Sequence, residues 1–155
     1  MSGLVGPFVG QFEEAVAKYI SSKHAVAVSS ATAGFELVLR TLKIGAGHEV
    51  IIPEFGWTSL GAVAAAVGAS VRVAPVDESL SAPWEAIEPL LRPQTRAVIL
   101  VHMRGHPAKD VALIAQQLRA RHVWLIEDCA QAWGTKAAGR HVGSFGDFGV
   151  FSTQH

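Results

Sequence analysis

Short apolar runs of strand length alternate along this chain with stretches whose apolar residues recur at three- and four-residue spacing. Glu49-Val50-Ile51-Ile52, Ser70 to Val76, Arg96 to Val101 and Val123 to Ile126 are rich in aliphatic and β-branched residues. Such runs suit strands buried on both faces of a sheet. Ala25 to Val28 and Phe148 to Ser152 read as two further strands. Between them, helical spacing appears at Gln11 to Ile20 (Phe12, Ala15, Val16, Tyr19), Thr32 to Leu42, Trp57 to Val67, Trp84 to Leu91 and Ala108 to Arg121. Gly45 with Gly47, and Gly68, serve as helix stops, and Pro83 opens a helix where its missing donor matters little. Met1 to Gly10 lacks periodicity and reads as an arm. The order strand, helix, strand implies βαβ units, hence an α/β fold of three α/β/α layers around a mainly parallel sheet. The chain divides into an N-terminal arm and helix (1–24) and one α/β domain (25–155), without internal repeats.

Composition narrows the function classes. Half of the 155 residues are hydrophobic and 17% are charged, with thirteen basic residues against thirteen acidic. A neutral chain gives no electrostatic reason to bind nucleic acid or an anionic membrane. The single cysteine, Cys129, excludes an internal disulfide framework and multi-cysteine zinc sites. No apolar stretch near the start is long enough for a signal peptide or a span, so the cytoplasm is the expected compartment. Low charge makes burial of surface in an oligomer plausible.

Candidate chemistry gathers just after the strands, where ligands bind open α/β sheets. Ser29-Ser30-Ala31-Thr32-Ala33-Gly34 is a turn of small residues entering a helix. It suits either an anion held by helix N–H groups or simple N-capping by Ser30 or Thr32. It is neither a Walker loop nor a dinucleotide fingerprint. Trp57 either stacks on a planar ligand or packs between helix and sheet. His102 and His106 are four apart, but Gly105 and Pro107 argue for a loop with His102 lining a cleft rather than a helical metal site. Glu127 and Asp128 end the apolar run of the fifth expected strand. Magnesium needs only carboxylates and water and stays open there, although a carboxylate facing a protonated pyridine nitrogen fits Asp128 better.

The pieces Val28 to Leu37, Val50 to Pro53 with Trp57, Val101-His102, Glu127-Asp128-Cys129-Ala130-Gln131-Ala132-Trp133-Gly134 and Gly143 to Ser152 occur in one order. Together they resemble the DegT/DnrJ/EryC1/StrS family of sugar aminotransferases, which depend on pyridoxal phosphate and have fold type I. The resemblance implies that the chain is the family's large, cofactor-binding domain. It implies that Ala31, Thr32 and Ala33 hold the cofactor phosphate, Trp57 stacks on the pyridine ring, and Asp128 pairs with the ring nitrogen. Gln131 would face the phenolic oxygen, and Ser152 would also reach the phosphate. The implied reaction moves an amino group from glutamate or glutamine to a keto group on a nucleotide-linked sugar or a cyclitol, in a homodimer, for antibiotic or cell-surface sugar biosynthesis. A sugar dehydratase of the same family, or a non-catalytic cofactor-binding fragment, is the alternative. Two positions depart from the family pattern: Ala31 stands where glycine is usual, and Gly56 where threonine is frequent. The family's imine-forming lysine, replaced by histidine in some dehydratases, follows the motif serine by five residues and is expected beyond His155. These residues are therefore expected to be the first part of a longer chain, without the C-terminal small domain.

Overall fold

Central strands buried on both faces build the molecule, and the computed structural model describes residues 7–153. The central strand β3 (Thr95–Val101) is buried throughout except at Arg96. Its Ala97, Ile99 and Val101 pack on one side with helices α2 (Ala31–Thr41) and α3 (Ser59–Ala66). Its Val98 and Leu100 pack on the other with α4 (Trp84–Ile87) and α5 (Val111–Ala120). This is the expected three-layer arrangement, because a strand that buries both faces needs helices on both. With β1 (Glu49–Pro53), β2 (Ser70–Ala74), β4 (Trp124–Asp128) and β7 (Phe148–Val150), the sheet has the order β2-β1-β3-β4-β7. Every pair in it is parallel. A two-residue hairpin, β5 (Lys136–Ala137) and β6 (Arg140–His141), interrupts the glycine-rich connection before β7.

Several boundaries differ from the sequence reading. Helix α1 (Pro7–Ile20) begins within the expected arm, and residues 1–6 lie outside the described ones. The expected strand at Ala25 to Val28 is not a strand: it joins no ladder, and Val26 and Val28 are 69% and 41% exposed. One of its backbone donors, the Ala27 N–H, goes instead to Glu13 Oε1 at 2.7 Å. The stop after α2 is Lys43 in the left-handed region (φ 55°) rather than Gly45. Strand β4 extends through Glu127 and Asp128, so both carboxylates are strand residues and must face opposite sides of the sheet.

Close backbone approach explains the glycines before and within β7. A Cβ at Gly146 would stand 2.6 Å from the Leu125 carbonyl oxygen, and one at Gly149 would stand 2.5 Å from that of Gly143. Asp147 completes the contact, accepting the Leu125 N–H at 2.9 Å and donating its own N–H to Leu125 O at 2.8 Å.

Candidate active site

The two carboxylates that end β4 are treated very differently. Glu127 is fully buried, and its oxygens receive four donors. Oε1 accepts the N–H groups of Phe145 and Gly146, both at 2.7 Å. Oε2 accepts the Gly143 N–H and His102 Nε2–H, both at 2.8 Å. His102 is also fully buried, which corrects its placement as a cleft-lining residue. Its Nδ1 accepts the Ala108 N–H at 2.9 Å, so the proton on Nε2 is the one that points to Glu127. The Glu127–His102 pair therefore ties the glycine loop and the start of the α5 segment to the end of β4. Neither residue stood out in the sequence for this role, although a carboxylate preceding Asp128 in an apolar strand was a signal that it needed partners. His102, Glu127 and Cys129 bring possible ligand atoms within 4.8 Å of one another. The hydrogen bonds above already occupy both imidazole nitrogens and the carboxylate, and burial, then the Glu127 and Asp128 charges, push the Cys129 thiol pKa far up. The cluster is a hydrogen-bonded hub at the end of β4.

Asp128 faces the other way and is less fully partnered. It is 6% exposed, and its Oδ1 accepts the Ala130 N–H at 3.0 Å. Oδ2 has no hydrogen bond among the described residues. Burial raises its pKa above the ordinary carboxylate value, against the opposing pull of the Ala130 N–H and of His102. Gln131 Oε1 accepts the Arg104 N–H at 3.0 Å. A backbone N–H can only donate, so the oxygen of the Gln131 amide is fixed there and its Nε2 group is left as a donor.

Neighbouring strand ends bring the other expected residues to the same edge. Val101 and Val150 are the ladder partners of Asp128. A Cβ at Gly56 would lie 3.5 Å from Val101, which sets the Trp57 loop over the end of β3, with Trp57 itself 69% exposed. The indole is thus not packed between helix and sheet. A Cβ at Gly34 would lie 3.2 Å from Val150, which sets the first turn of α2 against the end of β7. Ser30 is the N-cap, its Oγ accepting the Ala33 N–H at 3.1 Å. The N–H groups of Ala31 and Thr32 have no acceptor among the described residues. Ser152 follows β7, and its carbonyl accepts the Trp133 indole N–H at 2.6 Å.

This set of groups fits pyridoxal phosphate. A protonated ring nitrogen requires an acceptor, which Asp128 Oδ2 would supply, and a phenolic oxygen takes a donor, which Gln131 Nε2 would supply. Free N–H groups at the start of α2 suit a phosphate dianion.

Solved structures share this fold. An aminotransferase from Psychrobacter cryohalolentis is 33% identical, with a TM-score of 0.90 over 94% of this chain and 37% of its own. Spr1654 of Streptococcus pneumoniae, assigned as a sugar aminotransferase and solved in a PLP-form, is 26% identical, with a TM-score of 0.89 over 97% of this chain and 42% of its own. GDP-4-keto-6-deoxymannose-3-dehydratase (ColD), solved with bound GDP-perosamine, is 28% identical, with a TM-score of 0.85 over 96% of this chain and 40% of its own. The chain therefore spans about two fifths of the length of these proteins, and its fold is that of the fold type I large domain. Residues 2–154 match the model of the DegT/DnrJ/EryC1/StrS aminotransferase family, and the chain belongs to that family of pyridoxal-phosphate-dependent enzymes.

Proposed function

We propose that the protein containing this chain is an aminotransferase that moves an amino group from glutamate or glutamine to a keto group on a nucleotide-linked sugar or a cyclitol. The donor leaves as its 2-oxo acid and the acceptor carbonyl becomes an amine. The observation that carries this reading is the pairing of an open acceptor on a buried carboxylate, Asp128 Oδ2 at the end of β4, with an oriented donor, Gln131 Nε2, three residues on at the carboxyl edge of the sheet. Bound pyridoxal phosphate would supply an electron sink for the charge released when the amino substrate loses its α-proton. Asp128 holds a proton on the ring nitrogen, and its burial strengthens that interaction by excluding water. Gln131 donates to the phenolic oxygen. The Ala31 and Thr32 N–H groups, aided by the α2 dipole, anchor the phosphate, with Ala33 held by its cap and Ser152 closing the far side. Trp57 covers one ring face.

A homodimer in the cytoplasm, working in antibiotic or cell-surface sugar biosynthesis, completes the proposal. No helix among the described residues is long and apolar enough to cross a membrane. The similarity to the ColD dehydratase favours one second reading, loss of water from the sugar without net amino transfer. The test is to supply the complete protein with pyridoxal phosphate, glutamate or glutamine, and nucleotide-linked keto-sugars or keto-cyclitols. Equimolar 2-oxo acid and aminated product are expected by mass spectrometry. Cofactor binding with no amination of any acceptor overturns the aminotransferase reading, and a product lighter by one water supports the dehydratase.

A further inference from the structure

Between β3 and α5 the chain makes a tight turn, Met103–Gly105, in which Arg104 (φ 52°, ψ 31°) and Gly105 (φ 81°) are both left-handed. Arg104 is exposed and its conformation is disfavoured for any residue with a Cβ. Something must hold it, and three hydrogen bonds to the end of β4 and the segment after it do so. The His102 N–H donates to Asp128 O at 3.0 Å, the Arg104 N–H to Gln131 Oε1 at 3.0 Å, and Thr135 Oγ1 to Gly105 O at 2.8 Å. The first and last fix where the turn sits. The middle one fixes which end of the Gln131 amide is an acceptor.

An amide side chain can otherwise rotate by half a turn and exchange its donor for its acceptor, with opposite effects on a neighbouring oxygen. We propose that the Arg104-Gly105 turn is a positioning element that sets the polarity of Gln131, directing its Nε2 donor into the site through the Arg104 backbone rather than the guanidinium. The inference rests on the proposed cofactor site and assigns a role to a residue outside the family motifs quoted above.

Substitutions separate backbone from side chain. Arg104→Gly keeps the N–H and the left-handed turn while removing the guanidinium. Arg104→Ile keeps the N–H but resists the left-handed region. Gln131→Glu keeps an oxygen for the Arg104 N–H and replaces the donor by a second oxygen. The complete protein is titrated with pyridoxal phosphate at fixed neutral pH, reading dissociation constant and visible absorbance band. Arg104→Gly should bind within about twofold of the parent with an unmoved band. Gln131→Glu should bind about tenfold or more weakly, as expected for losing a hydrogen bond to a charged oxygen, with a shifted band. Arg104→Ile should fall between them. If Arg104→Gly is as impaired as Arg104→Ile, the side chain is the active part and the proposal fails. If Gln131→Glu leaves both readouts unchanged, it fails as well. A parent protein that does not bind pyridoxal phosphate sinks the proposed function, and this inference with it.

Discussion

At the scale of single residues, Asp128 is held against its own stability. Burial favours its protonated form, so the folded state binds that proton more tightly than the unfolded chain. The stability that follows is complete below the ordinary carboxylate pKa of 3.8 and declines as pH rises through the raised folded-state value. At neutral pH the cofactor-free protein carries the unfavourable charge, which a protonated ring nitrogen would compensate. Asp128→Asn keeps an oxygen for the Ala130 N–H and removes the charge. The cofactor-free variant should therefore be at least as stable as the parent at neutral pH and should lose that decline. It should also bind pyridoxal phosphate about tenfold or more weakly, the effect of losing a charge-assisted hydrogen bond. Thermal unfolding across pH 3 to 8, as an approximate range bracketing the ordinary carboxylate value, together with a cofactor titration, checks both halves. A variant clearly less stable at neutral pH would show that the carboxylate is structural.

At the scale of elements, Glu127 decides where the glycine loop lies. Gln at this position offers one acceptor oxygen, so its NH2 group must face two donors, either Phe145 and Gly146 N–H or Gly143 N–H and His102 Nε2–H. The imidazole cannot relieve this by changing tautomer, because Nδ1 already accepts from Ala108. Glu127→Gln should therefore destabilise the fold by about 1–3 kcal/mol for each stranded donor, read as a lowered midpoint in denaturant. An unchanged midpoint would mean that the loop is held without the carboxylate. The same loop shows what the sequence made legible. The glycines and aspartate of Gly143 to Gly149 were visible as a motif, and Asp128, Gln131 and Trp57 were visible as candidate site residues. That Gly146 and Asp147 serve the packing of β7 on β4 was not, because close approach is a relation between distant segments. The same limit applies to His102, which resembled a cleft residue only because its partner lies 25 positions away. Residues 25–28 have strand composition, but a strand also needs a ladder partner, and periodicity says nothing about that.

At the scale of the whole molecule, the two edges of the sheet differ in kind. All five strands run in one direction, so their amino ends share one edge and their carboxyl ends the other. At the amino edge the charged groups pair with each other, although Arg72 Nε is buried without a partner among the described residues. Glu49, which opens β1, takes Arg72 at 2.8 Å on one oxygen and the Thr95 hydroxyl at 2.9 Å on the other, and the Arg72 bond first of all holds its pKa below the usual value. At the carboxyl edge, Asp128 Oδ2, Gln131 Nε2 and the N–H groups of Ala31 and Thr32 have no partner among the described residues. Unmatched donors and acceptors gathered at one strand edge offer a ligand the partners it needs. Hydrogen exchange of the complete protein, with and without pyridoxal phosphate, should therefore respond at one edge. Slower exchange is expected together at residues 30–33, 54–58, 103–106 and 129–133, and not at residues 92–96 or 121–123 beneath the opposite edge. Protection spread evenly over both edges would indicate general stabilisation by binding elsewhere. Protection confined to the amino edge would move the site away from Asp128 altogether.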